Sequence, residues 1–77
     1  MFDIIIFSNR LKELRKKNKV NQSYIAALLR VTKTQISDLE NGKTTTSIER
    51  LYILADYFDV SIDYLVGRTD NRDSHKL

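Results

Sequence analysis

Lys33, Thr34 and Gln35 stand side by side after Thr32, and Asp38 follows one helical turn later. An ammonium, a methyl-bearing hydroxyl, a carboxamide and a carboxylate are a poor set for making bonds. They are a good set for reading hydrogen-bonding edges. Lys33 could donate to guanine O6 or N7, and Gln35 could pair with adenine through both amide atoms. The Thr34 methyl could meet a thymine methyl, and Asp38 could accept from cytosine N4. A good bidentate contact discriminates between bases by roughly 1–3 kcal/mol. Asp38 fits two other roles equally well: plain surface, or a charge that penalises wrong sequences. The chain offers no carboxylate pair, nucleophile–base set or phosphate-cradling loop, so no catalytic residue is assigned and an enzyme is the remotest reading. There is no cysteine, and the single histidine, His75, stands alone near the C-terminus, so no metal or cofactor is expected.

For these side chains to act together, they must share a short helix with one face left open. Ile36 and Leu39 supply the inward stripe of a helix over 33–40, capped by Thr32 and stopped by Asn41 and Gly42. A preceding helix over 22–29, capped by Asn21, turns Ile25, Ala26 and Leu29 inward. The three residues 30–32 between the two give the spacing of a helix-turn-helix. Ala26 is small enough for the two helices to cross steeply, Val31 plugs the turn and Ile36 packs back.

Ser8 reads as the N-cap of a first helix over 9–17, with Phe7 stapling its start. After a polar loop, Ser47 opens a fourth helix. Its stripe is broad: Ile48, Leu51, Tyr52, Leu54, Ala55 and Phe58, ended by Asp59. Ser61 caps a last short helix over 62–66, ended by Gly67. The expected organisation is an all-α domain over 8–67, with an apolar arm at 1–7 and a polar, mobile tail at 68–77. Tyr24, Tyr52, Tyr57 and Tyr64 read as core edges with wet hydroxyls rather than a stacking platform.

The charge is polarised. The chain has 77 residues and a formal charge of +3. Between residues 8 and 20, six cations face the single carboxylate of Glu13. Between 47 and 66, Arg50 faces Glu49, Asp56, Asp59 and Asp63. A basic end and an acidic end would orient the molecule toward a polyanion, and lysines on a solvated helix face explain the pattern equally well. The apolar start at 1–7 is too short to span a membrane and lacks the layout of a signal peptide. The absence of cysteine fits a cytoplasmic protein.

From residue 7 to residue 70 the sequence resembles the five-helix family of phage Cro and repressor DNA-binding domains, the xenobiotic-response-element type. The stretches that carry the resemblance are 10–15, Asn21-Gln22, Ala26, the run 36–44 and the run 54–65. The resemblance implies a lambda-repressor-like fold, with the helices over 22–29 and 33–40 forming the helix-turn-helix. It implies that Lys33, Thr34, Gln35 and Asp38 face bases. Gln22, Ser37, Asn41, Lys43 and Thr44 would hold the DNA backbone, with Gln22 also bracing the recognition helix. Arg15 and Glu40 would pair to join the first helix to that helix. The family usually has glycine where Lys19 and Arg30 stand, and a proline near Thr46. Two side chains at positive φ would be strained. Arg30 is either an added phosphate contact or a solvated turn residue.

A bacterial or phage-encoded transcriptional regulator follows as the expectation, a repressor binding a palindromic double-stranded operator as a homodimer. Residues 62–65 and the N-terminal arm are the expected dimer surfaces. Phe2, Ile4, Ile5 and Ile6 have no place in the usual domain, and Ile53 lies off the stripe of its helix. These two surfaces are expected to meet, within one chain or across a dimer, and the β-branched residues would permit a short strand-like arm; the alternative is simple packing of the run onto the monomer. The rival from another class is a protein-interaction module of the same fold, of antitoxin or anti-repressor type, or a regulator controlled by a protein partner.

Overall fold

The first helix begins earlier than Ser8. In the computed structural model, which describes residues 2–72, Asp3 is the N-cap: its carboxylate accepts the Ile5 N–H at 2.9 Å, and α1 runs Ile4–Lys17. Ser8 is buried inside this helix and its hydroxyl donates back to the Ile4 carbonyl at 2.8 Å. That i to i−4 bond satisfies a serine without a cap, so the expected boundary falls mid-helix. The arm is therefore helical from Ile4 and not strand-like. The weak β preference of three isoleucines yields to the Asp3 cap and to the burial of Phe7 on the inward side of the helix.

The other elements follow the expected order: α2 Gln22–Leu29, α3 Lys33–Glu40, α4 Ile48–Phe58 and α5 Ile62–Leu65, with no strand among the described residues. Asn21, Thr32, Ser47 and Ser61 each accept from a backbone N–H in the first turn, so every helix starts on a side-chain cap.

All five helices also stop in one way. The residue that ends each stop has positive φ: Lys19, Arg30, Gly42, Asp59 and Gly67. The N–H of each bonds to the carbonyl three residues back, and the next N–H bonds to the carbonyl five residues back. The second set is Val20 to Arg15, Val31 to Ala26, Lys43 to Asp38, Val60 to Ala55 and Arg68 to Asp63, at 2.8–3.1 Å. This is the Schellman arrangement, which satisfies the last carbonyls of a helix. The strain expected at Lys19 and Arg30 is present, at φ 58° for both, and Asp59 adds a third case at 56°.

The core is continuous. Phe7, Leu11 and Leu14 of α1 meet Ile25, Ala26 and Leu29 of α2, Ile36 and Leu39 of α3, Leu54, Ala55 and Phe58 of α4, then Val60, Tyr64 and Leu65. The apolar stripe of α4 is narrower than expected. Ile48 and Tyr52 are 77% and 62% exposed, while Ile53 packs half-buried against the core. Ile53 lines a groove with Leu28, Leu29, Arg30 and the start of α4. Ile5 and Ile6 instead lie on the turns at Gly42 and Gly67, so the two unusual apolar surfaces occupy different faces of one chain.

Residues 68–72 fold back rather than trail. One Arg10 guanidinium nitrogen donates to the carbonyls of Tyr64 and Thr69, the latter at 2.7 Å, and the other pairs with Asp70. The same guanidinium lies over the Tyr64 ring, 4.2 Å from its centroid. The Ser61 N–H donates to the Arg72 carbonyl at 2.8 Å, closing the segment onto α5. The rest of the expected tail, residues 73–77 with His75, lies outside the described residues.

Candidate nucleic-acid interface

α2 and α3 pack against each other through Ala26 and Ile36, both buried, with Val31 half-buried in the turn between them. The inward side of α3 is Ile36, Leu39 and Glu40. At about 100° per residue, the opposite direction is that of Thr34, Ser37, Asp38 and Asn41, with Lys33 and Gln35 on the flanks. Lys33, Thr34, Gln35, Asn41, Lys43 and Thr44 are exposed, and Ser37 and Asp38 are partly so. Every candidate base-facing and backbone-facing residue of α3 and the following loop is thus at least partly open to solvent, those of α3 on its outward direction and its two flanks.

Glu40 anchors that surface from behind. It is only 3% exposed. Arg15 grips both its oxygens, Nε to Oε2 at 2.6 Å and Nη2 to Oε1 at 3.1 Å, while Arg15 Nη1 donates to the Val20 carbonyl at 3.1 Å. Gln22 Nε2 also donates to Glu40 Oε1 at 3.1 Å. One carboxylate therefore joins the end of α1, the start of α2 and the end of α3. The fork of a guanidinium against a carboxylate fixes orientation as well as distance. Gln22 braces α3 through this bond and keeps a second amide hydrogen for another acceptor.

Gln35 is less free than its type suggests. Its Oε1 accepts the Thr32 N–H at 2.8 Å, and the Thr32 hydroxyl accepts the Gln35 N–H at 3.1 Å. This is a reciprocal capping box. Pairing to adenine through both amide atoms needs an acceptor and a donor, and here the acceptor is already used. The signal was in the sequence: a threonine followed three residues later by glutamine at a helix start. Asn41 Nδ2 donates to Ser37 Oγ at 3.4 Å, and Thr44 Oγ1 donates to the Thr45 carbonyl at 3.2 Å. Away from α3, the rings of Tyr24 and Tyr57 lie 5.7 Å apart. Desolvation, then a hydrogen bond with Tyr24, raises the Tyr57 hydroxyl above the usual phenol range.

The sequence pattern of HTH_3, Helix-turn-helix, matches residues 11–65. The chain belongs to this helix-turn-helix family. Among its relatives is AnsR, an HTH-type transcriptional regulator of Bacillus subtilis (strain 168). The two are 43% identical over 60 residues, which cover 78% of this chain and 52% of AnsR. A transcriptional regulator from Listeria innocua has the same fold, with a TM-score of 0.77 at 39% identity over 79% of this chain and 57% of that one. The P22 c2 repressor, solved in complex with synthetic operator 9T, superposes with a TM-score of 0.74 at 30% identity, over 79% of this chain and 92% of the repressor. The five helices are thus those of a lambda-repressor-like domain. The chain spans about half to three-fifths of the length of two curated relatives it matches, AnsR and the regulator YobD of the same organism. The helix-turn-helix fold also occurs within the hydroxypropylphosphonic acid epoxidase from S. wedmorenis, where this chain matches 33% of the length at 27% identity and a TM-score of 0.72. Fold alone does not carry an activity, and the family match and the names of the curated relatives point to transcription regulation, not catalysis. No helix among the described residues is long and apolar enough to cross a membrane.

Proposed function

We propose that the chain is a sequence-specific double-stranded DNA-binding transcriptional regulator of the bacterial cytoplasm, acting as a repressor, that lays α3 in the major groove. The observation that supports it is the open polar face of α3, held in place from behind by the buried Glu40. An α-helix with its side chains is about 10–12 Å across, which fits the major groove, about 12 Å wide, that α3 would enter. Lys33 and Thr34 meet base edges. Gln35 adds its Nε2, and Asp38 accepts from a cytosine amine. Gln22, Ser37, Asn41, Lys43 and Thr44 hold the flanking phosphates and set the register, as backbone contacts do.

The operator is palindromic and the protein binds it as a homodimer, because one helix of this length reads few bases. Two copies on a two-fold axis read half-sites about one DNA turn, near 34 Å, apart. The dimer face is that of α5 and the adjoining side of α4. There Ile48 and Tyr52 stand exposed, and Tyr52, Ala55, Val60 and Ile62 line a groove that Asp56, Ser61 and Asp63 also border.

The test is a selection of randomised duplex DNA on the purified protein at about 0.15 M salt. Enrichment of a two-fold symmetric site is the expected result. Lys33→Ala should then change base preference, while Lys43→Ala should weaken all sequences alike and reduce the salt slope by about one phosphate. Absence of any enriched sequence would overturn the proposal in favour of a protein partner for the same face.

A further inference from the structure

The five helix stops share their hydrogen bonds but not their apolar support. A Schellman stop is normally steadied by a hydrophobic contact between the residue after the positive-φ position and the residue five back. Three stops carry a valine at that place: Val31 over Ala26, Val60 over Ala55, and Val20, which stands over Arg15 and packs against the core instead. The other two carry Lys43 over Asp38 and Arg68 over Asp63, pairs with no apolar contact to give. These two are the glycine stops, Gly42 and Gly67.

Both glycine stops are covered from outside, by consecutive residues of α1. A Cβ built on Gly42 would lie 3.0 Å from Ile5 Cδ1, and one built on Gly67 would lie 2.7 Å from Ile6 Cγ2. The α1 turn over residues 4–6 thus supplies the apolar brace that the two stops lack within themselves. One of them, at Gly42, directs the chain from the end of α3 into Lys43 and Thr44.

Resting on the DNA-binding reading above, we propose that Ile5 is a positioning residue for DNA recognition. By bracing the stop at Gly42, it sets where the phosphate-holding loop from Asn41 to Thr44 stands relative to α3. Ile5 itself need touch no nucleotide. Ile6 does the same mechanical work at Gly67, away from the recognition surface but at the end of α5, and so is the internal control for affinity measured on a single half-site, where dimer formation plays no part.

The experiment compares Ile5→Ala, Ile5→Val and Ile6→Ala in the full chain. Ile5→Val removes only the δ-methyl that lies on Gly42, and Ile5 is 54% exposed, so this variant keeps the fold. Two readouts are taken: affinity for a single half-site of the duplex enriched by the wild type, and amide exchange at Lys43 and Arg68. Ile5→Ala is expected to weaken the duplex about 3- to 10-fold and to speed exchange at Lys43. Ile5→Val should fall between it and the wild type, and Ile5→Leu, which keeps δ-carbons, should restore affinity. Ile6→Ala should speed exchange at Arg68 and leave DNA affinity within twofold of wild type. Faster exchange at Lys43 with unchanged affinity in Ile5→Ala would overturn the positioning role. Equal loss of affinity in Ile5→Ala and Ile6→Ala would overturn it too, as general destabilisation. Unchanged exchange at Lys43 would overturn the brace itself. A wild type that enriches no duplex would instead sink the DNA-binding reading, and the exchange measurement would still judge the brace.

Discussion

Two sets of helix ends divide this molecule. The stops after α1, α2 and α4 keep a side chain at positive φ and carry their own valine. The stops after α3 and α5 use glycine and take their apolar support from α1. The first set tolerates backbone strain because a valine packs against the core directly behind it. The second set avoids strain but depends on a distant element. A helix end can therefore be secured by local packing despite an unfavourable residue, or by a favourable residue plus help from elsewhere. α3 has the second kind of end, so its exit is set by α1 on both sides: through Ile5 at Gly42 and through Arg15 at Glu40.

The sharpest way to break this comparison is to remove the second tie at the α3 end. Glu40→Ala strands the Arg15 guanidinium, which is only 14% exposed, and should destabilise the fold by about 3–5 kcal/mol. Chemical denaturation would show it as a lower midpoint, and the same loss should appear whatever residue occupies position 5. Next comes the valine set. Val60→Ala deletes buried methyls behind the strained Asp59 and should lower stability by about 2 kcal/mol, a melting temperature fall on the order of 10 °C for a domain of this size. A fall of less than about 2 °C would mean that the valine does not secure its stop.

Gly67→Ala tests the glycine set. At φ +86° with a Cβ 2.7 Å from Ile6, it should destabilise by about 1–2 kcal/mol. Gly42→Ala should be milder, because its nearest neighbour is the far end of the Ile5 side chain. The smallest effect has the opposite sign. Lys19→Gly relieves the left-handed lysine and should stabilise by about 0.5–1 kcal/mol, the strain released less the added freedom of the unfolded chain. A melting curve that moved down on this change would show that Val20 leaves no strain to relieve.

Much of this architecture could be read from residues. Asn21, Thr32, Ser47 and Ser61 announced four helix starts because each is a small polar residue ahead of an apolar stripe. Gly42 and Gly67 announced two stops. The buried sides of α2 and α3 followed from Ile25, Ala26, Leu29, Ile36 and Leu39. What was not legible depends on partners far along the chain. Ser8 resembles a cap, and only the burial of Phe7 together with the rival carboxylate of Asp3 moves the start of α1 back to Ile4. Residues 68–72 look like a polar tail until Arg10, more than fifty positions earlier, is seen to hold their carbonyls. Ile48 and Tyr52 share the apolar character of the α4 stripe but not its direction once the neighbouring helices are in place. At the candidate interface, the residue types and the face of α3 were legible. The commitment of Gln35 to its cap was written in the spacing of Thr32 and Gln35, but the same carboxamide also suits a base edge, so residue type alone does not separate the two roles.

That commitment has a thermodynamic side. A glutamine free in water loses rotamer freedom worth about 1.5–2 kcal/mol when it is pinned. Thr32 has already taken that freedom from Gln35 during folding. The Nε2 group is left pointing from a fixed carboxamide at the mouth of α3, so any acceptor that meets it finds a donor whose ordering was completed before the encounter.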